Sequence, residues 1–451
     1  MADSSATPTA RKEPLGRLVA VVLLATLFSA FFAGFTALQV KGFSLYDELT
    51  HSDYAFRVAH GEVPSAGSKL APQVRAEAAC RGFAMMPDQH FPKIGRCGDP
   101  SPPFTVARGE NFNFAHPPVY YAVTGVVARI GDTVTADYRF MTFARLTGVL
   151  WLAAAVVVLY LAMRRFGVGW WTSLLGALLM ISLPMVFYAD ATVTNDAPAV
   201  LCGALAMFLL ARVLVDGRRG LVLPAVLATA ATATKVMSGL PFLLVAFACL
   251  VLALRAVRTD RRDAVRLGGV AVVILVSFAV VHLGWEVFQS GRGDSAWTNP
   301  VAGANTVAVS GLPIDEVFGP SFRFPVPFGS DVRLMPPALD NLGSTLMVRV
   351  WGLIVLAAIG AVLALRSRWS PAFVVAALAA VGGIAWPWVV EVQAAMSGWY
   401  FPAPTPRYAL ALTPLFLLTV VLAVDGKRLV RSFTVFSAIA FAVSAYTVLN
   451  A

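Results

Sequence analysis

"HPPVYYAVTGVVARIG", residues 116–131, is the stretch on which the architecture of this chain turns. After Pro117 and Pro118 it offers about 13 apolar-rich residues, and a run of 10–14 is more often interfacial or re-entrant than spanning. If it crossed a membrane, every segment after it would change sides. The basic residues argue against that. The short loops at 163–167 ("MRRFG"), 216–220 ("DGRRG"), 255–266 ("RAVRTDRRDAVR"), 366–369 ("RSRW") and 425–431 ("DGKRLVR") come out on the cytoplasmic side, with the N-terminus, only when 116–131 lies along the surface. Arg and Lys collect in cytoplasmic loops. The stretch is therefore read as a juxtamembrane helix.

Working outward, eleven apolar segments remain: 17–39, 143–163, 168–188, 197–214, 220–234, 238–256, 267–288, 344–364, 371–390, 407–424 and 432–450. Of the 451 residues 58% are hydrophobic and 13% charged, against about 25% charged in an ordinary soluble domain. The composition excludes a soluble globular protein. The net charge of +10 belongs to the cytoplasmic loops, and no nucleic-acid motif accompanies it. The first apolar run is too long for a signal-peptide core and lacks a clear small-residue cleavage site. Arg11, Lys12 and Arg17 are expected to hold its start in the cytoplasm. The reading is an all-α polytopic membrane protein of about eleven transmembrane helices, one domain over 1–451. Its large first external loop, 40–142, contains juxtamembrane helices, and 290–343 forms a second external loop. Cys202 and Cys249 lie in apolar runs and read as small core residues. Cys80 and Cys97 lie in the polar first loop, where a disulfide can form if that loop faces the cell exterior; spacing alone leaves the pairing open.

This topology brings a set of polar residues to one face. "LYDELTH" (45–51) puts Asp47, Glu48 and His51 just past the first span. A carboxylate there can act as a general base or cap the next helix. Asp47 and His51 would share a helix face, which leaves a divalent metal possible though no cofactor is required. "FAHPPVYY" (114–121) places His116 before a proline pair that opens a helix, near backbone N–H groups suited to an anion; a solvated interfacial His is the plainer reading. "ATVTNDAPAVL" (191–201) holds Asn195 and Asp196, either as an N-cap or as site groups. "ATATKVMSGLP" (231–241) buries a lone Lys235 between apolar segments, where a charge is costly and usually functional. "PRYALALTP" (406–414) carries Arg407, and "FARLTG" (143–148) carries Arg145; both suit phosphate recognition.

Taken in order, these motifs resemble the family C glycosyltransferases, membrane enzymes that use lipid-phosphate-linked sugars, and within them the protein O-mannosyltransferase and aminoarabinose transferase branch. The resemblance runs over about 17–250 and again near 400–425. It implies Asp47 as catalytic base with Glu48 beside it, His116, Lys235, Arg407 and Arg145 around the donor phosphate, and His51, Asn195 and Asp196 as site support or metal ligands. It departs at His116, where the aminoarabinose branch has Lys. The implied partners are a polyprenyl-phosphate-linked sugar donor, membrane lipid, and a glycan, glycolipid or protein acceptor at the external face. A polytopic transporter or lipid flippase is the alternative. Such a protein would set its ionisable residues near the midplane, often in paired repeats; here they gather at one face and no repeat is visible.

Overall fold

A computed structural model describes residues 13–45, 47–84, 95–99, 106–134, 140–301, 307–323, 342–396, 398–402 and 405–450. Arg11 and Lys12, and most of 302–341, lie outside them. The helices are α1 (Leu15–Ser29), α2 (Phe35–Gln39), α3 (Glu48–Ala59), α4 (Pro72–Arg81), α5 (Val119–Val134), α6 (Phe140–Arg165), α7 (Trp170–Leu179), α8 (Pro184–Asp190), α9 (Ala199–Leu214), α10 (Val222–Thr234), α11 (Leu240–Ala256), α12 (Arg261–Ser290), α13 (Ile314–Arg323), α14 (Leu342–Leu365), α15 (Pro371–Met396), α16 (Thr413–Ala423) and α17 (Gly426–Leu449). The described strands are one short antiparallel pair, β1 (Val307–Ala308) with β2 (Trp399–Tyr400).

Among the described residues, eight helical stretches are long and apolar enough to cross a membrane, α1–α2 joined by a π turn being one of them. α9 and α10 are shorter apolar helices. The segment read as one span over 168–188 is instead broken into α7 and α8 at 69°. Pro184, which lacks an N–H, opens the second piece in its first turn. With that bent pair, the helices fall on the eleven apolar segments of the sequence.

The deciding stretch forms α5. Its 16 residues rise about 24 Å at 1.5 Å each, short of a bilayer core of about 30 Å. The helix is two-sided. Tyr120, Tyr121, Thr124, Gly125 and Ala128 are buried, whereas Val119, Val123, Val126, Ile130 and Val134 form an exposed apolar stripe. That pattern suits a helix lying in an interface. Its buried side crosses α3 at Gly125, where a Cβ would come within 2.2 Å of the Ala55 carbonyl oxygen. Only glycine lets the two backbones meet.

The first loop builds a small core of its own, in which Phe43, Leu49, Tyr54, Leu70 and Val74 pack with Tyr120, Tyr121 and Val193. Cys80, in the last turn of α4, is disulfide-bonded to Cys97, while Cys202 and Cys249 are buried free thiols.

Candidate active site

The site assembles where α3, the 190–198 turn, the end of α10 and the 3-10 turn Pro406–Leu412 come together. Asp47 precedes α3 in a left-handed conformation, φ 58°. Asp is among the few non-glycine residues that visit this region readily. Its side chain makes no capping bond, so the capping reading fails for Asp47. It turns toward Arg407, whose Nη2 lies 3.2 Å from Asp47 Oδ2. Arg407 Nη1 lies 3.9 Å from Asp196 Oδ2, and the other oxygen of Asp196 is 2.5 Å from Lys235 Nζ. The Tyr408 ring sits between the cations, 5.2 Å from Lys235 Nζ and 5.4 Å from Arg407 Cζ. Asp47, Arg407, Asp196 and Lys235 thus form one line of alternating charge.

Each member is placed by its local chain. Lys235 follows the last residue of α10 with extended backbone, which turns its side chain out of the helix. Arg407 rides on the Pro406–Leu412 turn, which lies against α9. There a Cβ on Gly203 would come within 2.0 Å of the Ala411 carbonyl oxygen, so this close approach also requires glycine. Asp196 precedes α9 but does not cap it; the N-cap position is Pro198.

Residues 115–285 match the family model described as dolichyl-phosphate-mannose-protein mannosyltransferase. No curated protein sequence matches the chain. Among solved structures, ArnT from Cupriavidus metallidurans bound to undecaprenyl phosphate superposes with a TM-score of 0.52 at 16% identity, covering 95% of this chain. The chain shares the fold of that ArnT structure. The chain spans 64% of the length of that ArnT structure. The S. cerevisiae protein O-mannosyltransferase Pmt1-Pmt2 complex bound to the sugar donor aligns over 67% of this chain and 39% of its own, at 14% identity and a TM-score of 0.41.

The histidines approach the charged line from α3 and from the entrance to α5. Their ring centroids are 6.0 Å apart. His51 Nδ1 is 2.8 Å from Tyr121 Oη. Burial holds the His116 imidazole down to about 3, the Lys235 and Arg407 charges adding to the effect and Asp196 opposing it. Burial, with His116, Lys235 and Arg407, pushes His51 well below its usual value too. Both rings are therefore neutral near pH 7. His116, expected around the donor phosphate, therefore stands there as an uncharged imidazole.

Two further expectations change. Glu48 is fully buried. One of its oxygens accepts from Arg145 Nε and Val193 N, each at 2.7 Å. The other accepts from Arg145 Nη2 at 2.7 Å and Ser44 N at 2.6 Å. Arg145 gives its remaining donors to the carbonyls of Ala37, Val40 and Gly42. All five of its N–H groups are spent, so Arg145 has none for a phosphate. Glu48 and Arg145 form a buried clamp that ties α3, α6 and the 190–198 turn to the end of α2. Among the described residues there is no group of three or more His, Cys, Asp or Glu side chains able to hold a metal, so His51 and Asp196 do not complete a metal site there.

Asn195 is buried, and neither atom of its amide has a hydrogen-bond partner. The sequence reading overlooked Tyr121, Tyr54 and Tyr408, because a tyrosine in an apolar run looks like ordinary core. It also passed over Glu391, inside the apolar run of α15. That carboxylate is buried and accepts from Phe401 N at 3.0 Å. An ionisable residue inside such a run is itself a signal.

Proposed function

We propose that this chain is a glycosyltransferase that moves a sugar from a polyprenyl-phosphate donor to an acceptor at the external face of the membrane. The observation that carries the reading is the line Asp47–Arg407–Asp196–Lys235. Two cations share one buried carboxylate, and a second carboxylate stands at the open end. Asp47 retains 34% side-chain exposure, against 3% for Asp196 and none for Glu48. It is the acid of the group that an incoming acceptor can reach.

Lys235 and Arg407 face the donor phosphate. The acceptor proton passes to the Asp47 carboxylate as the acceptor oxygen or nitrogen bonds to the sugar's anomeric carbon. The bond from that carbon to the phosphate oxygen breaks, and the electron pair leaves with the phosphate. Fixed cations are most effective when aimed at charge that develops in the transition state. Direct displacement of this kind inverts the anomeric centre. Asp196 holds the two cations in register, and His116 and His51 add neutral hydrogen bonds. Asn195 offers its unpaired amide to a polar group of the sugar or phosphate. Glu48 and Arg145 hold the frame. The external orientation is supported by the one-sided basic loops and by the Cys80–Cys97 disulfide, since such bonds persist in oxidising compartments.

The family match over 115–285 supports a sugar-transferring role. The sugar and acceptor are to be read by comparing lipid-linked sugars and envelope glycans, by mass spectrometry, between a deletion strain and one complemented with wild type or Asp47→Asn. Accumulation of a polyprenyl-phosphate sugar with loss of one glycan substituent, restored only by wild type, is the expected result. Unchanged lipid and glycan profiles on deletion would overturn the reading.

A further inference from the structure

Three consecutive carbonyls just before the proline pair are each held by a different side chain. Phe114 O accepts from Gln289 Nε2 at 2.9 Å, Ala115 O from Trp285 Nε1 at 2.8 Å, and His116 O from Tyr54 Oη at 2.9 Å. Pro117 and Pro118 have no N–H, so this stretch cannot be braced by a continuing backbone ladder. The bracing comes from outside.

Two of the three donors lie four residues apart on the outer end of α12, and positions four apart share a helix face. The same end is tied to a second part of the first loop. Gln289 Nε2 also reaches Pro64 O at 3.3 Å, Arg292 Nη2 donates to Val63 O at 2.8 Å, and Asp294 N donates to Ala66 O at 3.1 Å. α12 packs along α10 and α11, but over its last eight residues, 283–290, only Gln289 is buried. Its outer end is therefore fastened by directional bonds to main-chain groups more than by burial.

We propose that Trp285 and Gln289 are positioning residues, which act through the carbonyls of Ala115 and Phe114 to hold the His116 imidazole beside Lys235 and Arg407. His116 is the last residue of the braced stretch, and the following prolines restrict the backbone on its other side. The chain around the imidazole is thereby fixed at both ends. A loop placed only by apolar packing would let the ring drift by the ångström or so that a hydrogen bond cannot tolerate. The inference rests on His116 being a donor-facing group, as proposed above.

The test uses the full chain in lipid nanodiscs, with undecaprenyl phosphate alone as the probe. Trp285→Phe keeps a ring against Phe288, 5.1 Å away in the wild type, and removes only the N–H donor. Gln289→Leu removes both amide donors. Two readouts are taken on protein shown to be folded by thermal melting. The first is the rate at which diethyl pyrocarbonate modifies His116, by peptide mass spectrometry, with the exposed His60 as reference. The second is the dissociation constant for undecaprenyl phosphate. Each variant should speed modification of His116 relative to His60. Each should weaken binding about 2- to 10-fold, the worth of one neutral hydrogen bond. In a His116→Ala background the same substitutions should leave binding unchanged, since residues acting as a unit are not additive. Unchanged His116 reactivity in both folded variants overturns the proposal, as does a binding loss that persists in full without His116. If Gln289→Leu does not fold, Tyr54→Phe removes the third bond and takes its place. If the wild type itself does not bind undecaprenyl phosphate, the donor assignment fails, and His116 reactivity still decides the positioning role.

Discussion

Arg407 Nη2 lies 3.2 Å from Oδ2 of Asp47, two residues 360 positions apart in the chain. The contact joins the residue that follows the first span to the turn that opens α16. It holds the Asp47 carboxylate beside a cation while leaving a third of the side chain open. The Asp47 carboxylate is thus held beside a cation with one side open, the placement that the proposed base role requires.

Asp47→Asn keeps the shape and removes the base. General-base catalysis contributes typically about 10²- to 10⁴-fold, so turnover at saturating donor should fall by that factor. Folding should be retained, because the side chain makes no capping bond. Rates of sugar transfer and thermal melting on the same preparation check both halves. Wild-type turnover in a folded Asp47→Asn protein would remove the catalytic role.

Lys235 has two partners in this reading, Asp196 and the donor phosphate. Lys235→Met should weaken binding of undecaprenyl phosphate by about 2–5 kcal/mol, by analogy with truncated buried charge pairs. It should also lower the melting temperature, because it removes the nearer of the two cations from the buried Asp196. Adding Asp196→Asn should restore melting without restoring binding. Recovery of both together would show that Lys235 acts only through Asp196.

Glu48→Gln and Arg145→Lys should fail by loss of structure. Breaking a buried pair by altering one partner costs about 3–5 kcal/mol, a large part of the margin of an ordinary domain. Melting curves in detergent are the measurement. A variant that melts normally but does not turn over would return Glu48 to the chemistry.

The histidines give the protein a pH signature. His116 titrates at about 3 in the folded chain against 6.5 for an unperturbed imidazole. The unfolded chain therefore binds more protons between those values, and stability rises with pH there. This contribution is fully present above pH 6.5 and is lost as pH falls toward 3; His51 moves in the same direction. Melting temperatures from pH 7.5 down to 4.5 should decline, and His116→Asn should decline less steeply. Parallel curves for the two proteins would contradict the depressed value.

Topology can be read with an impermeant thiol reagent. A cysteine at position 218, in the basic loop between α9 and α10, should stay unlabelled in intact cells. One at position 62, on the exposed turn after α3, should react. Reaction at 218 would reverse the orientation and put the site on the cytoplasmic side.

The apolar runs were enough, as sequence, to divide the chain into eleven segments, and the Arg and Lys loops to argue that 116–131 does not span. Both are local properties, set by residue hydropathy and by which charges stay in water. Lys235 stood out as a cation between apolar runs, and its partner there is Asp196. The break between α7 and α8 depends on how Pro184 is used in three dimensions. A second layer belongs to tertiary structure alone. Glu48 and Asp47 are neighbours with the same chemistry, and nothing local distinguishes a clamp from a base. The distinction comes from Arg145 reaching one and Arg407 the other across 97 and 360 residues. His116 likewise looks like a cation until the Lys235 and Arg407 charges and burial are brought against it. Charge state and partner choice depend on what folding places within a few ångströms and on how much water it removes, and no linear stretch of the chain contains that information.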